Sequence, residues 1–215
     1  MFKADTKKLD AALKEEVVAE TAVFDGRLMH VRRLEVRLPN GKLSTREMTR
    51  HCGAAAIVTL DEHQRVVLER QWRAPAGGAF WEIPAGKIDP GEEAFATARR
   101  ELEEEAGLTA KRWTFLGTIH NAIGYSDEHI EIYLARELTA GTVHLDDNEF
   151  LTLVKPTFEE ALQMCRTGEI TDVKTLAGLY WVRDYLAGKL PQALELSFVV
   201  ENSLKSPCKC RIIIG

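Results

Sequence analysis

The chain has 215 residues, 45% of them hydrophobic and 28% charged, which suits one large domain or a domain with an appendage at about 150 residues per domain. Its 28 Lys and Arg face 33 Asp and Glu, and the resulting net charge of -5 speaks against a general nucleic-acid binder, which carries a basic excess. No apolar run approaches the ~20 residues of a membrane span, so neither nucleic acid nor membrane is an expected partner.

In chain order, residues 5–16 (DTKKLDAALKEE) have helical propensity with a weak apolar stripe at Leu9, Leu13 and Val17. Extended segments are expected over 17–24 and 27–38, then a hairpin turn at Asn40-Gly41 and a return strand over 43–50. These first 50 residues read as a small antiparallel β unit. Residues 53–60 (GAAAIVTL) and 65–73 (RVVLERQWR) read as a strand pair around Asp61-Glu62-His63-Gln64. A Pro- and Gly-rich loop over 74–79, a short apolar segment over 80–84 and a turn at Asp89-Pro90-Gly91 follow. The stretch 92–106 (EEAFATARRELEEEA) predicts a helix, with Gly107 where a C-cap belongs. Further extended segments are expected over 112–120 and 129–137, and amphipathic helices over 157–166 and 172–187. Strands interleaved with a few helices predict an α+β fold, a mixed sheet flanked by helices. The charged start MFKADTKKLDAALKEEVV lacks an apolar signal core. Cys52, Cys165, Cys208 and Cys210 form no CxxC pair that would suggest a zinc knuckle; with no signal core and no membrane span, a reducing cytoplasm with free thiols is expected.

The helix over 92–106 carries the chemistry. Glu101, Glu104 and Glu105 fall three and four positions apart, which puts their carboxylates on one face. Like charges so placed repel, and a hard divalent cation would relieve the conflict. A solvated acidic face, with Arg99 and Arg100 pairing Glu103 and Glu104, is the alternative.

The surrounding spacing decides between them. Gly86 is followed after five residues by Glu92, and after seven more by Arg100-Glu101-Leu102-Glu103-Glu104-Glu105-Ala106-Gly107-Leu108. This resembles the Nudix box at all seven fixed positions and both aliphatic ones. The resemblance implies a Nudix-type α/β/α sandwich with a mixed sheet and hydrolysis of a nucleoside diphosphate linked to another moiety. It implies metal ligation by Glu101, Glu105 and the Ala85 carbonyl, with Glu104 supporting, and Mg2+ as the cofactor with Mn2+ as the alternative. Arg100 reads as a clamp that orients the acids, and Leu102 and Leu108 as core.

Outside the box, four segments resemble ADP-ribose pyrophosphatases and related nucleotide-sugar hydrolases: Gln71-Trp72-Arg73-Ala74-Pro75, Trp81-Glu82-Ile83-Pro84-Ala85-Gly86-Lys87-Ile88-Asp89, Gly124-Tyr125-Ser126-Asp127-Glu128 and Asp172-Val173-Lys174-Thr175-Leu176-Ala177-Gly178-Leu179. In such enzymes an acidic loop after the last core strand supplies the catalytic base and another metal contact. Here that loop is 144–150, and Asp147 and Glu149 are the candidates, with a polar turn capping an extended segment over 150–155 as the alternative. Arg73, Glu82 and Trp72 are the candidate substrate-binding residues: Arg73 would fork onto a phosphate and Trp72, like Tyr125, would stack on a base, with packing as the alternative and favoured role of both aromatics. Arg73 has an ion pair with Glu82 as its alternative role.

The implied organisation is an N-terminal β unit over 1–50 that exchanges across a homodimer, a catalytic domain over 51–191, and a tail over 192–215 with no assigned role. The implied reaction is hydrolysis of ADP-ribose to AMP and ribose 5-phosphate, with a small-molecule nucleotide as partner. Ala122-Ile123-Gly124 stands where many ADP-ribose pyrophosphatases have Ser-Pro-Gly, which keeps another nucleotide sugar or a dinucleotide open as substrate. A nucleotide-binding regulatory domain is the third reading, disfavoured by the complete set of box acids.

Overall fold

The computed structural model describes residues 5–145 and 150–196. The chain groups into two compact units, Met1–Cys52 with His120–His129, and Gly53–Ile119 with Ile130–Gly215.

In the first unit, helix α1 (Thr6–Leu13) is capped by Asp5, whose carboxylate accepts from the Lys8 amide. The helix expected over 5–16 stops at Leu13, because the β-branched pair Val17-Val18 draws the chain into strand β1 (Glu16–Asp25). Strands β2 (His30–Arg37) and β3 (Leu43–Arg50) complete an antiparallel sheet in the order β1-β2-β3. The predicted hairpin turn forms: Gly41 takes φ +81°, and the Asn40 side chain accepts from the Lys42 amide at 3.0 Å. Residues 120–129 belong with this sheet. Asp127 accepts from the His51 amide at 2.8 Å and pairs with Arg50 at 2.9 Å, and the Thr49 amide donates to the Tyr125 carbonyl at 2.8 Å.

The second unit is built on β4 (Ala54–Leu60), every residue of which is buried. Strand alternation sends its two sets of side chains to opposite faces. Ala54, Ala56, Val58 and Leu60 pack with Ala161 and Leu162 of α3 (Phe158–Thr167) and Leu179 and Val182 of α4 (Val173–Leu186). Ala55 and Ile57 pack with Ala98, Leu102 and Ala106 of α2 (Ala94–Ala106). A strand covered by helices on both faces reads as a continuous apolar run, as GAAAIVTL does. The result is the expected α/β/α sandwich. With β7 (Ala85–Lys87), β8 (Leu108–His120), β9 (His129–Ala140) and β11 (Leu194–Leu196), β4 forms a five-stranded sheet in the order β11-β8-β9-β4-β7, parallel between β4 and β9 and antiparallel between β4 and β7. Three residues of the 192–215 tail thus supply an edge strand, paired with β8 at Leu194↔Phe115.

A second, antiparallel sheet runs β10-β5-β6, from β5 (Leu68–Arg73), β6 (Gly78–Glu82) and β10 (Leu151–Val154). The pairing expected between 53–60 and 65–73 is therefore not made. Both edges of the buried β4 are taken by long-range partners, and the Asp61–Arg65 turn carries the chain away into the other sheet. Helix α2 ends as predicted: Gly107 has φ +62° and its amide donates to the Glu103 and Leu102 carbonyls. No helix among the described residues is long and apolar enough to cross a membrane.

Candidate active site

Helix α2 lies against β4 and β7, and its buried face carries two acids among the apolar residues. Glu101 is 9% exposed and Glu105 7%. Burial at this level demands partners. Arg100 supplies several of them. Its Nη1 donates to Glu101 Oε1 at 2.7 Å and to Glu104 Oε2 at 2.9 Å, its Nε to Glu92 Oε1 at 3.2 Å, and its Nη2 to Glu92 Oε2 at 3.1 Å. Arg100 Nη2 also donates to the Lys87 carbonyl at 3.3 Å. The residue expected to clamp the acids ties Glu92, Glu101 and Glu104 to one another and to β7. Hydrogen bonding from Arg100 holds the Glu92 carboxyl below its usual range. The i,i+4 contact to Glu104 expected of a solvated acidic face is present too, but it belongs to this larger arrangement.

The segment before the box glycine meets the helix directly. The Ala85 amide donates to Glu105 Oε2 at 2.9 Å. At Gly86 the backbone passes so close that an added Cβ would lie 1.8 Å from Glu101 Oε1. Glycine there leaves the space that the carboxylate occupies. Leu102 and Leu108 are core residues at 0% and 6% exposure.

Of the candidate substrate residues, Arg73 at the end of β5 reaches diagonally to Glu82 on β6. Arg73 forks onto Glu82, Nε to Oε1 at 2.8 Å and Nη2 to Oε2 at 2.7 Å. Lys174 Nζ shares Glu82 Oε2 and also donates to Asp172 Oδ2, the latter at 3.1 Å. Burial would push the Glu82 carboxyl up, but the Arg73 hydrogen bonds and the Lys174 charge hold it at about 2. Asp172 caps α4 through the Thr175 amide, and Thr175 Oγ1 accepts from the Ile83 amide at 2.9 Å, which fixes α4 to the lead-in segment. Trp72 is 64% exposed at the end of β5. Asp147 and Glu149 lie outside the described residues. The segment leading to them runs beside the C-terminal end of α2, where the His144 amide donates to the Glu104 carbonyl at 2.8 Å.

Glu69 escaped the sequence reading. It is 3% exposed, and its Oε1 has no hydrogen-bond partner among the described residues. Burial pushes its carboxyl up to about 7; the Lys174 charge and a hydrogen bond with Glu105 act against that rise, whereas the Glu82 charge adds to it. An acid in the otherwise apolar run VVLE was the available signal. Lys174 and Asp172 belong to the family-like segment 172–179, whose residue order alone assigns them no role.

Among the described residues, no three His, Cys, Asp or Glu side chains already form a metal-holding group. The donors nevertheless fit a hard divalent cation. They are all oxygens, Glu101 and Glu105 are buried on one helix face, Gly86 leaves room for the Glu101 carboxylate, and Glu69 Oε1 is orphaned nearby.

Residues 49–183 match the NUDIX domain, and residues 15–48 match the nucleoside diphosphate sugar hydrolase N-terminal domain. The chain is 36% identical over 174 residues to the ADP-ribose pyrophosphatase of Bacillus subtilis (strain 168), covering 80% of this chain and 94% of that one. It is 35% identical over 172 residues to the methanol dehydrogenase activator of Bacillus methanolicus, covering 79% and 93%. A crystal structure of an ADP compounds hydrolase superposes with a TM-score of 0.72 at 24% identity, over 82% of this chain and 96% of the other, and shares the fold. With the box intact from Gly86 through α2 to Leu108 and the domain match spanning most of the chain, this protein belongs to the NUDIX family.

Proposed function

We propose that this protein hydrolyses the diphosphate of ADP-ribose to AMP and ribose 5-phosphate, in the cytoplasm and as a homodimer. The observation that carries the reading is the buried acid pair: Glu101, held under Gly86 and clamped by Arg100, and Glu105, which accepts from the Ala85 amide. The similarity to the ADP-ribose pyrophosphatase of Bacillus subtilis supports the choice of substrate.

A bound divalent cation, Mg2+ or alternatively Mn2+, supplies the charge that neutralises a diphosphate and acidifies a water molecule. Glu101, Glu105 and the Ala85 carbonyl would hold it, with Glu104 and Glu149 supporting. Arg100 keeps the acids from repelling one another and fixes their orientation. Asp147 or Glu149 takes a proton from water. The water oxygen then bonds to phosphorus as the bridging P–O bond breaks, leaving two phosphate monoesters. Trp72, exposed at the end of β5, offers a stacking surface for the adenine. Arg73 meets a phosphate only by giving up part of its fork on Glu82, so the Glu82 carboxylate sets how Arg73 is presented.

The homodimer reading rests on the match of residues 15–48 and on β1, exposed along its length with Val17, Val18, Val23 and Phe24. The relative named as a methanol dehydrogenase activator favours a second reading, a regulator of a partner protein. A panel of ADP-ribose, ADP-glucose, GDP-mannose, NADH and diadenosine polyphosphates with Mg2+, scored by product identity, separates the two. ADP-ribose should be turned over with the highest kcat/KM, yielding AMP; hydrolysis of none of them would leave the regulator.

A further inference from the structure

We propose that Glu69 is a further carboxylate ligand of the divalent cation held by the box acids, acting beside Glu105 from the opposite wall of the site. The inference rests on the metal reading of Glu101 and Glu105.

Glu69 sits on β5 directly opposite Glu82 on β6, so both side chains project from the same face of that sheet. Like charges opposite one another destabilise a sheet unless each is compensated. Glu82 is compensated twice over, by the Arg73 fork and by Lys174. Lys174 divides its remaining capacity with Asp172. Among the described residues no cation donates to Glu69, whose Oε1 is buried without a partner. Its contact is with Glu105, another acid. Arg73 and Lys174 are thus both committed to Glu82, and among the described residues Glu69 Oε1 is left buried without a partner. A divalent cation gives Glu69 Oε1 the partner it lacks. Glu69 arrives on a strand rather than on α2, so its position does not depend on the loop that carries Asp147 and Glu149.

The test is direct binding of Mn2+ without substrate, read from the electron paramagnetic resonance signal of free Mn2+. Wild type is compared with Glu69→Gln, Glu69→Asp and Glu105→Gln, and the thermal midpoint of each metal-free protein is recorded. Glu69→Gln keeps the size of the side chain and can still donate to Glu105, so it reproduces a neutral partner while removing a ligand charge. We expect it to raise the Mn2+ Kd by about 10- to 100-fold, with a metal-free midpoint equal to or above wild type. Glu69→Asp, which keeps the charge but withdraws it by one methylene, should weaken binding without lowering the midpoint. If Glu69→Gln binds Mn2+ like wild type while Glu105→Gln does not, the proposal is overturned and the metal reading stands. Lowered midpoints with unchanged Mn2+ affinity in both Glu69 variants would reveal a packing role and overturn it as well. Wild-type affinity in Glu105→Gln and Glu69→Gln together would remove the metal reading itself.

Discussion

Changing Glu82 to Gln takes one carboxylate out of a buried ion-pair arrangement and leaves its two cations behind. Glu82 is 4% exposed, accepts both arms of the Arg73 fork and pairs with Lys174. Its carboxyl is held at about 2 against an ordinary value of 4.5, because the Arg73 and Lys174 contacts outweigh burial. A folded-state value depressed in this way contributes stability that is complete above the unfolded value and fades as pH falls through the folded one. At about 1.4 kcal/mol per pH unit, the gap amounts to about 3 kcal/mol at pH 7, falling to about 1 kcal/mol at pH 3. The neutral-pH figure agrees with the lower end of the roughly 3–5 kcal/mol lost when one partner of a buried pair is removed. Asp172 still partners Lys174, and Arg73, with its side chain 48% exposed, can turn to water; both moderate the loss. Urea unfolding of wild type and Glu82→Gln at pH 7 and pH 3 measures the difference directly. Wild type should lead by about 3 kcal/mol at pH 7 and by about 2 kcal/mol less at pH 3. A lead that is the same at both pH values, or one below about 0.5 kcal/mol at pH 7, refutes the reasoning.

Gly86→Ala puts a methyl group where the Glu101 carboxylate lies, so that carboxylate must move. We expect a loss of Mn2+ affinity and kcat with little change in KM, at about 1–3 kcal/mol in stability, by titration and urea unfolding; unaltered Mn2+ binding would show that Glu101 is not held by this close approach. Asp147→Asn and Glu149→Gln, assayed separately for ADP-ribose turnover, should identify the base as the variant with the larger fall in kcat, of about 100-fold or more. Two variants with wild-type kcat would exclude the 144–150 loop as the source of the base.

The resemblance to the Nudix family was legible because its features are local. The box acids lie within one helix, where 3.6-residue periodicity alone sets their face. Gly107 ends that helix through a positive φ, and Asn40-Gly41 makes the hairpin turn through another. These depend on neighbours a few residues away. Strand partnership does not. The run 53–60 looked able to pair with 65–73, yet β4 takes β9 and β7, because both its faces must be buried and both its edges filled from distant segments.

Glu69 shows the same divide at the level of one side chain. In a strand whose Leu68 faces the core, simple alternation would send Glu69 to solvent. Instead both are buried, at 0% and 3%, because β5 is covered on each side. Arg73 is a further case: its residue type allowed a phosphate or a pair with Glu82, and a register that sets Glu69 opposite Glu82 and Arg73 opposite Gly78 brings its fork onto Glu82. The amino-acid sequence by itself determined the acid helix, its caps, the spacing of the box and hence the family, since short-range geometry is written in residue order. Only the tertiary structure decided which acids are buried, which are compensated by Arg100, Arg73 and Lys174, and that Glu69 joins them, because burial and charge compensation depend on segments the chain brings together from far apart.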